Sequence, residues 1–482
     1  MISFSEQLHE YIVKNLTFPL SNYMFNRKNI LSKFNAMRES EWYSAKTLKE
    51  LQFNKLRKVI EYANAYVPYY RDKLKEIGLF PEDIKNLEDL QYIPPLSRHD
   101  VIEFHDKMVD FRFKSSRFIA DKSKGGPGQP KSFARFRRHK LVRNSSSGST
   151  GVPTVFYEDG SQSALNWAHE LRFKSWFGIH PGVKEARMVR LSSDYLRTSR
   201  LNKSRRLLWN QLVLPGMNLS EKEYKLCLND ILKFKPRVLW GITSSITGLA
   251  NYITENNKSL QSYNPEIVIT WAAPLHDHEK QIINKAFNSY ISNIYSAREV
   301  GHIAGMCSHG SYHVNQEDIF VENEITDNNS VNGNYGEIYV TTLNCFPMPF
   351  IRYKMGDVGL VGQSRCACGR TLQVLEKVLG RTGEIFISKE GRMIAPNFWG
   401  RVFMSEKVSG IVKQFQVIYK KNKDLKIIIE SYRGHSTEAE SYLMETIKDN
   451  LSTDTKVEFI YVSKIKPQLS GKYQMVINEA NI

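Results

Sequence analysis

From about residue 141 onward the chain alternates strand-like and helix-like segments, and this alternation limits the folds open to it. Short apolar runs such as Val238-Leu239-Trp240 and Ile267-Val268-Ile269-Thr270 are separated by stretches with helical spacing. Strands that alternate with helices need a sheet covered on its faces, so an α/β body with stacked sheets is the expected class. A further strand is expected over 336–343, after a turn. The first 110 or so residues read mainly as helix: Leu48, Leu51, Leu56, Val59, Ile60 and Ala63 recur at helical spacing, and Pro94-Pro95 stops such a segment. After about Arg381 a second, small αβ unit is expected, with strands over 415–418, 425–429 and 457–462 and a helix over 437–451. The expected division is 1–380 for a large domain with a helical start, and 381–482 for a small one.

Composition narrows the class. Of 482 residues, 41% are hydrophobic and 24% charged, enough apolar surface for ordinary cores and against disorder as the default. No run approaches the ~18 apolar residues of a membrane span. Residues 1–31 mix apolar and polar side chains without a signal-peptide core, so a cytoplasmic location is the expectation. Five cysteines in a chain this long do not make a disulfide scaffold. The formal charge of +17 suits a polyanionic partner: nucleic acid, anionic lipid or a polyphosphate ligand. Between 114 and 143 ten basic residues face one acid, Asp121. That segment reads either as a solvated loop or as a surface for an anionic partner, such as a membrane or a nucleotide-bearing substrate. It fits no named nucleic-acid motif, and no specific nucleic-acid partner is expected.

The strongest local motif is Ser145-Ser146-Ser147-Gly148-Ser149-Thr150-Gly151-Val152-Pro153. Small residues let the backbone approach phosphate oxygens, hydroxyls add donors, and Gly148 and Gly151 allow positive φ. No Gly-Lys-Ser/Thr follows, so this is not a Walker loop. Leu141-Val142 on one side and Val155-Phe156-Tyr157 on the other pin it between strand-like flanks, which weighs against a flexible linker.

This loop, ending in Gly-x-Pro, resembles that of the adenylate-forming superfamily, and Tyr66-Val67-Pro68-Tyr69-Tyr70-Arg71 resembles an early signature of its phenylacetate–CoA ligase and CapK-type branch. The resemblance implies a large multi-sheet domain and a small mobile C-terminal α+β domain. Other stations follow in order. Tyr295-Ser296-Ala297-Arg298-Glu299 resembles the Tyr-x-x-x-Glu motif, implying Tyr295 near adenine and Glu299 on Mg²⁺. Arg352-Tyr353-Lys354-Met355-Gly356-Asp357 resembles the Arg-Tyr-x-x-Gly-Asp station, implying that Asp357 accepts from both ribose hydroxyls. Gly380-Arg381 matches the domain-junction Gly-Arg, with Arg381 at ribose or phosphate and a hinge near Gly383. Ser470-Gly471-Lys472 resembles the terminal Gly-Lys, implying Lys472 as the catalytic lysine at the α-phosphate. Two stations depart. Thr154 stands where relatives often carry Lys, and Ala272-Ala273 precedes Pro274-Leu275 where relatives tend to have Gly-Glu.

Cys307 and His313, with Cys366 and Cys368 some fifty residues later, supply three thiolates and one imidazole. That set suits a closed, structural Zn²⁺ site, with His309 as a rival ligand, and the resemblance supports it; the alternative is reduced buried cysteines with His313 on the surface. The expected activity is ATP- and Mg²⁺-dependent formation of an acyl-adenylate from a small carboxylate, then transfer to coenzyme A. Amide formation on an amino sugar or lipid-linked glycan in surface polysaccharide synthesis is the alternative. A nucleotide- or glycan-binding member without chemistry is the third reading. Trp167, Trp176 and Trp240 read as core more readily than as an acyl pocket.

Overall fold

The computed structural model describes residues 4–24, 29–113, 119–121, 141–146, 154–189, 200–216, 219–256, 263–324, 335–362, 365–381, 386–389, 393–394, 396–403, 405–465 and 475–479. The helical start is present. Ser44 caps the helix Ala45–Tyr66 by accepting from the Thr47 N–H at 3.1 Å. Leu48, Leu56, Val59, Ile60 and Ala63 are fully buried on one face of it. Leu51 is only half-buried; the neighbouring Gln52 goes inward because its amide donates to the Ile319 carbonyl at 3.1 Å. Val67 then breaks the helix, and Pro68 opens the next, Pro68–Glu76, at the position where its missing N–H is harmless.

Three strands form a small sheet: β1 (Ile119–Asp121), β2 (Leu141–Ser145) and β3 (Val155–Asp159), with β2 antiparallel to β3. The large sheet begins with β4 (Glu185–Val189), β5 (Gln211–Pro215), β6 (Val238–Ile242), β7 (Ile267–Trp271) and β8 (Tyr290–Ala297), all paired in parallel. It continues with β9 (Gly301–Met306), β10 (Tyr312–Val314), β11 (Ile319–Glu324), β12 (Gly336–Thr342), β13 (Tyr353–Gly362) and β14 (Val374–Arg381), paired antiparallel. The spatial order is β11-β12-β13-β14-β10-β9-β8-β7-β6-β4-β5. The sheet therefore changes character at β8.

The parallel half reads as continuous apolar runs because helices cover it. Val238–Ile242 is buried at every position, and helices Glu221–Phe234, Thr243–Glu255 and Asp277–Phe287 supply Ile231, Leu249 and Ile283 to its core. The N-terminal helices pack with the antiparallel half, joining Val59, Ile60 and Tyr70 to Ile338, Val340 and Tyr353. Trp176 and Trp240 lie in a third core, as expected of packing residues. Trp167 packs against a fourth core, beside Phe18 and Trp209.

After the short pair β15 (Phe386–Ile387) and β16 (Met393–Ile394), the C-terminal unit holds β17 (Val412–Tyr419), β18 (Leu425–Ser431), β19 (Val457–Val462) and β20 (Val476–Asn478). Their order is β19-β18-β17-β20. Burial alternates along β17, so one face is covered, by Leu443 and Ile447 of the helix Thr437–Asn450. Among the described residues no helix is long and apolar enough to cross a membrane.

Candidate functional site

The change of character at β8 sets the site. Beyond the end of β8 the chain turns through Arg298, Glu299 and Val300 into β9. The turn closes on Gly301 with φ 85°, and a Cβ there would meet the Asn166 Oδ1 at 2.4 Å. Glu299 is more than nine-tenths buried, and among the described residues its carboxylate has no hydrogen bond or ion pair. A carboxylate so placed needs a cation or donors from a ligand to offset its lost hydration.

Tyr295, four residues earlier, reaches across to β13: its hydroxyl donates to Asp357 Oδ2 at 2.7 Å. Burial raises the Tyr295 pKa well above the ordinary value, and the Asp357 carboxylate adds to this. On the adjacent strand Arg381 pairs with Asp357 Oδ1 at 3.1 Å and donates to the Met355 carbonyl at 3.1 Å. The β13–β14 register brings Asp357 opposite Arg381. Three expected residues thus share one hydrogen-bonded group. Tyr353 is buried nearby, and burial and then the Glu299 charge raise its pKa.

The expected phosphate loop springs from the β2–β3 hairpin. Ser145 pairs with Val155, and the Ser146 N–H donates to the Thr154 carbonyl at 2.9 Å. Leu141, Phe156 and Tyr157 of this hairpin share a core with Val300, Tyr353 and the partly buried Tyr295. Ser147, Gly148, Ser149, Thr150 and Gly151 lie outside the described residues, as do Gly383 and Lys472. Thr154, at the departure from the family pattern, is fully buried, and its hydroxyl has no hydrogen-bond partner among the described residues. At the other departure, Ala272 has φ 69°, a left-handed conformation that favours glycine.

Sequence reading found these positions but not what holds them. The Tyr70 hydroxyl donates to the Pro349 carbonyl at 2.8 Å and accepts from the Ile351 N–H at 3.1 Å. It thereby fixes the lead-in to β13. Arg352 is buried and structural: it donates to the carbonyls of Gln91 and Ile93 and pairs with Glu322. Asn293 was also missed. It accepts from the Tyr312 hydroxyl at 2.8 Å and donates to Thr270 at 2.8 Å, tying β8 to β7.

The second polar centre lies just past the end of β9: Cys307 follows that strand, His313 sits on β10, and Cys366 and Cys368 lie on the β13–β14 connection. The ligand atoms of Cys307, His313, Cys366 and Cys368 all fall within 4.8 Å of one another. Cys307 Sγ and Cys366 Sγ are 3.7 Å apart, and Cys368 Sγ is 3.2 Å from His313 Nε2. A tetrahedral ion with Zn–S of about 2.3 Å separates its sulfurs by about 3.8 Å. Burial lowers His313 to about 4, so the imidazole is neutral and its lone pair is free to bind. Burial pushes the Cys307 thiol up to about 11; Cys366 also feels burial, but hydrogen bonds from Ser311 and the Cys368 N–H bring it below the usual thiol value. His309 is exposed and outside the cluster.

A paired charge network lies beside it. Fully buried Arg172 makes a bidentate pair with Glu317 at 2.9 and 3.0 Å and also meets Glu41 at 3.3 Å. Glu41 accepts from the Trp176 indole at 2.8 Å and pairs with Arg370, two residues beyond Cys368.

The chain is similar to several known proteins. A family model described as the CapK C-terminal domain matches residues 386–479. Protein CapK of Staphylococcus aureus is 22% identical over 438 residues, covering 89% of each chain. A phenylacetate–coenzyme A ligase of Thermus thermophilus is 24% identical over 400 residues, covering 80% of this chain and 81% of its own. Among solved structures, a 2-hydroxyisobutyryl-CoA ligase in the postadenylation state, in complex with R3-HIB-AMP, superposes with a TM-score of 0.71. It is 19% identical, with 92% of both chains covered.

Proposed function

Because this chain belongs to the adenylate-forming family, on the branch of CapK-type proteins and phenylacetate–CoA ligases, we propose that it activates a carboxylic acid with ATP. The product is an acyl-adenylate, whose acyl group then passes to the thiol of coenzyme A as the bond to AMP breaks and AMP leaves. The single observation that carries the reading is the grouping of Tyr295, Asp357 and Arg381 beside the buried carboxylate of Glu299, which has no partner among the described residues.

In this reading Tyr295 flanks the adenine, and Asp357 accepts from the two ribose hydroxyls while Arg381 holds its carboxylate in place. The 145–153 loop cradles the phosphates with backbone N–H groups. Glu299 is the carboxylate that would hold Mg²⁺, which when bound neutralises phosphate charge. An oxygen of the substrate carboxylate attacks the α-phosphorus, and the bond to the bridging oxygen breaks, so the electron pair leaves with pyrophosphate. Lys472 offsets the charge that builds on the α-phosphoryl oxygens. The small domain is proposed to start at 381 and to turn about the junction near Gly383 so that the acceptor can enter. The Cys307, His313, Cys366 and Cys368 set fits structural Zn²⁺, with all four positions filled by the protein.

The match of 386–479 to the CapK C-terminal family favours a second reading of the acceptor. That unit would present an amine on a sugar or a lipid-linked glycan, giving an amide and a role in surface polysaccharide synthesis. The test is pyrophosphate release with Mg²⁺·ATP over aryl, fatty, amino and sugar acids, followed by addition of coenzyme A or amines. Release with one acid class supports adenylation, and the acceptor that increases turnover decides between thioester and amide. Intact ATP binding with no release for any acid supports the non-catalytic reading instead.

A further inference from the structure

The N-terminal helix has two apolar faces, and the body of the protein covers only one. Val13 and Phe18 are buried against Ala164, Leu165 and Ala168 of the helix Gly160–Ser175 and against Trp209. On the opposite face Phe4, Leu8, Tyr11, Ile12, Leu16, Leu20 and Tyr23 are all exposed; Phe4 is 80% exposed, Leu16 61% and Leu20 57%. The spacing of four, three and one residues puts the first four on one side of the helix Phe4–Ile12. Residues Val13–Thr17 then form a π-helical turn before the helix resumes at Phe18. A π turn takes up more residues than an α turn, so Leu16, Leu20 and Tyr23 continue the same stripe where a straight α-helix would rotate them off it.

The charges are sorted as well. The helix's two acids face the body: Glu6 pairs with Lys184 at 2.5 Å and Glu10 with Arg237 at 3.7 Å. Beside the stripe lies the helix Arg200–Trp209, tied to it by Thr17 donating to the Leu208 carbonyl at 2.7 Å. That helix exposes Leu207, 68% accessible, next to Arg206. Its sequence holds four basic residues, Arg200, Lys203, Arg205 and Arg206, and no acid. A cavity of about 570 Å³ opens on the other side of the helix, lined by Lys14, Asn15, Asn35, Arg38 and His180, with no carboxylate among its lining residues.

We propose that this face docks on a membrane surface rich in anionic lipid. The stripe lies in the headgroup layer with Phe4, Tyr11 and Tyr23 at the interface, and Arg206 of the neighbouring basic helix meets lipid phosphates. Charge complementarity selects this occupant over a second copy. Pairing two copies through the stripe would set basic helices together in a chain that already carries +17. The site uses other elements than the nucleotide station does.

The test is flotation of the full chain with vesicles of phosphatidylcholine alone and of phosphatidylcholine with phosphatidylglycerol, at low and high salt. Binding to the anionic vesicles that weakens with salt is expected. The variant Leu8→Ser/Leu16→Ser/Leu20→Ser changes only exposed side chains and should lower that binding by about tenfold or more. Arg206→Glu should lower it by about fivefold or more while leaving the apolar stripe intact. Circular dichroism and light scattering accompany each variant. No binding to anionic vesicles, binding equal in the Leu variant, or a dimer that the Leu variant dissolves would each overturn the proposal, the last in favour of a second copy.

Discussion

The two polar centres of the large sheet use their charges in opposite ways. Around Cys307 and His313 opposite charges meet: four ligand atoms converge, and Arg172, Glu317, Glu41 and Arg370 form ion pairs beside them. At the β8–β9 turn Glu299 is almost as deeply placed and has no protein partner among the described residues. Burial without a partner is unfavourable for a carboxylate, whereas a fully satisfied polar cluster stabilises one arrangement of the chain. On the proposed reading the closed centre belongs to the fold, and the open one to a ligand.

The largest test of this contrast removes the metal that the closed centre fits. A chelator, or Cys366→Ser with Cys368→Ser, should lower the unfolding free energy by about 5 kcal/mol or more, since metal binding to a folded site is itself folding free energy. Metal stoichiometry and Tm measure it; a Tm indifferent to both treatments would leave the cysteines as ordinary core residues. Next, Arg172→Met leaves Glu317 and Glu41 buried without their main cation and should destabilise the protein by about 3–5 kcal/mol. Nucleotide affinity per folded molecule should stay unchanged, and a selective loss of affinity would erase the distinction between the centres.

At the open centre the pattern reverses. Glu299→Gln should cut acid-dependent pyrophosphate release by about 100-fold or more, with Tm equal to or above that of the parent. A variant that unfolds early yet keeps full turnover would assign Glu299 to the fold. The smallest effect concerns the segment beside β8. Ala272 is left-handed at φ 69°, so Ala272→Gly should relieve strain and stabilise by about 1 kcal/mol, read from denaturant midpoints. Destabilisation would mean that neighbouring packing, and not the residue type, fixes that conformation.

Much of the fold was legible because its signals are local. Apolar runs such as 267–270 and the alternation along 415–418 carry their periodicity in a few residues, and β7 and β17 contain them. The helix over 45–66 was legible for the same reason, apart from Leu51. There a long-range bond from Gln52 to Ile319 decided which neighbour turned inward. Residue types also marked the stations at Tyr295, Asp357, Arg381 and the Cys/His set. What could not be read were the supports. Tyr70 holding Pro349 and Ile351, or Glu41 joining Arg172 to Arg370, depends on contacts hundreds of residues apart that leave no spacing in the sequence. The change from parallel to antiparallel pairing at β8 was hidden likewise, since strand direction is set by connections and not by composition.

The central claim is adenylation at the open centre, and acid-dependent exchange of labelled pyrophosphate into ATP tests it most directly, with the parent and Lys472→Ala measured side by side. The account predicts exchange that requires one class of carboxylic acid and Mg²⁺ and falls by about 100-fold or more in the variant. Exchange that needs no acid, or that Lys472→Ala leaves untouched, would contradict it.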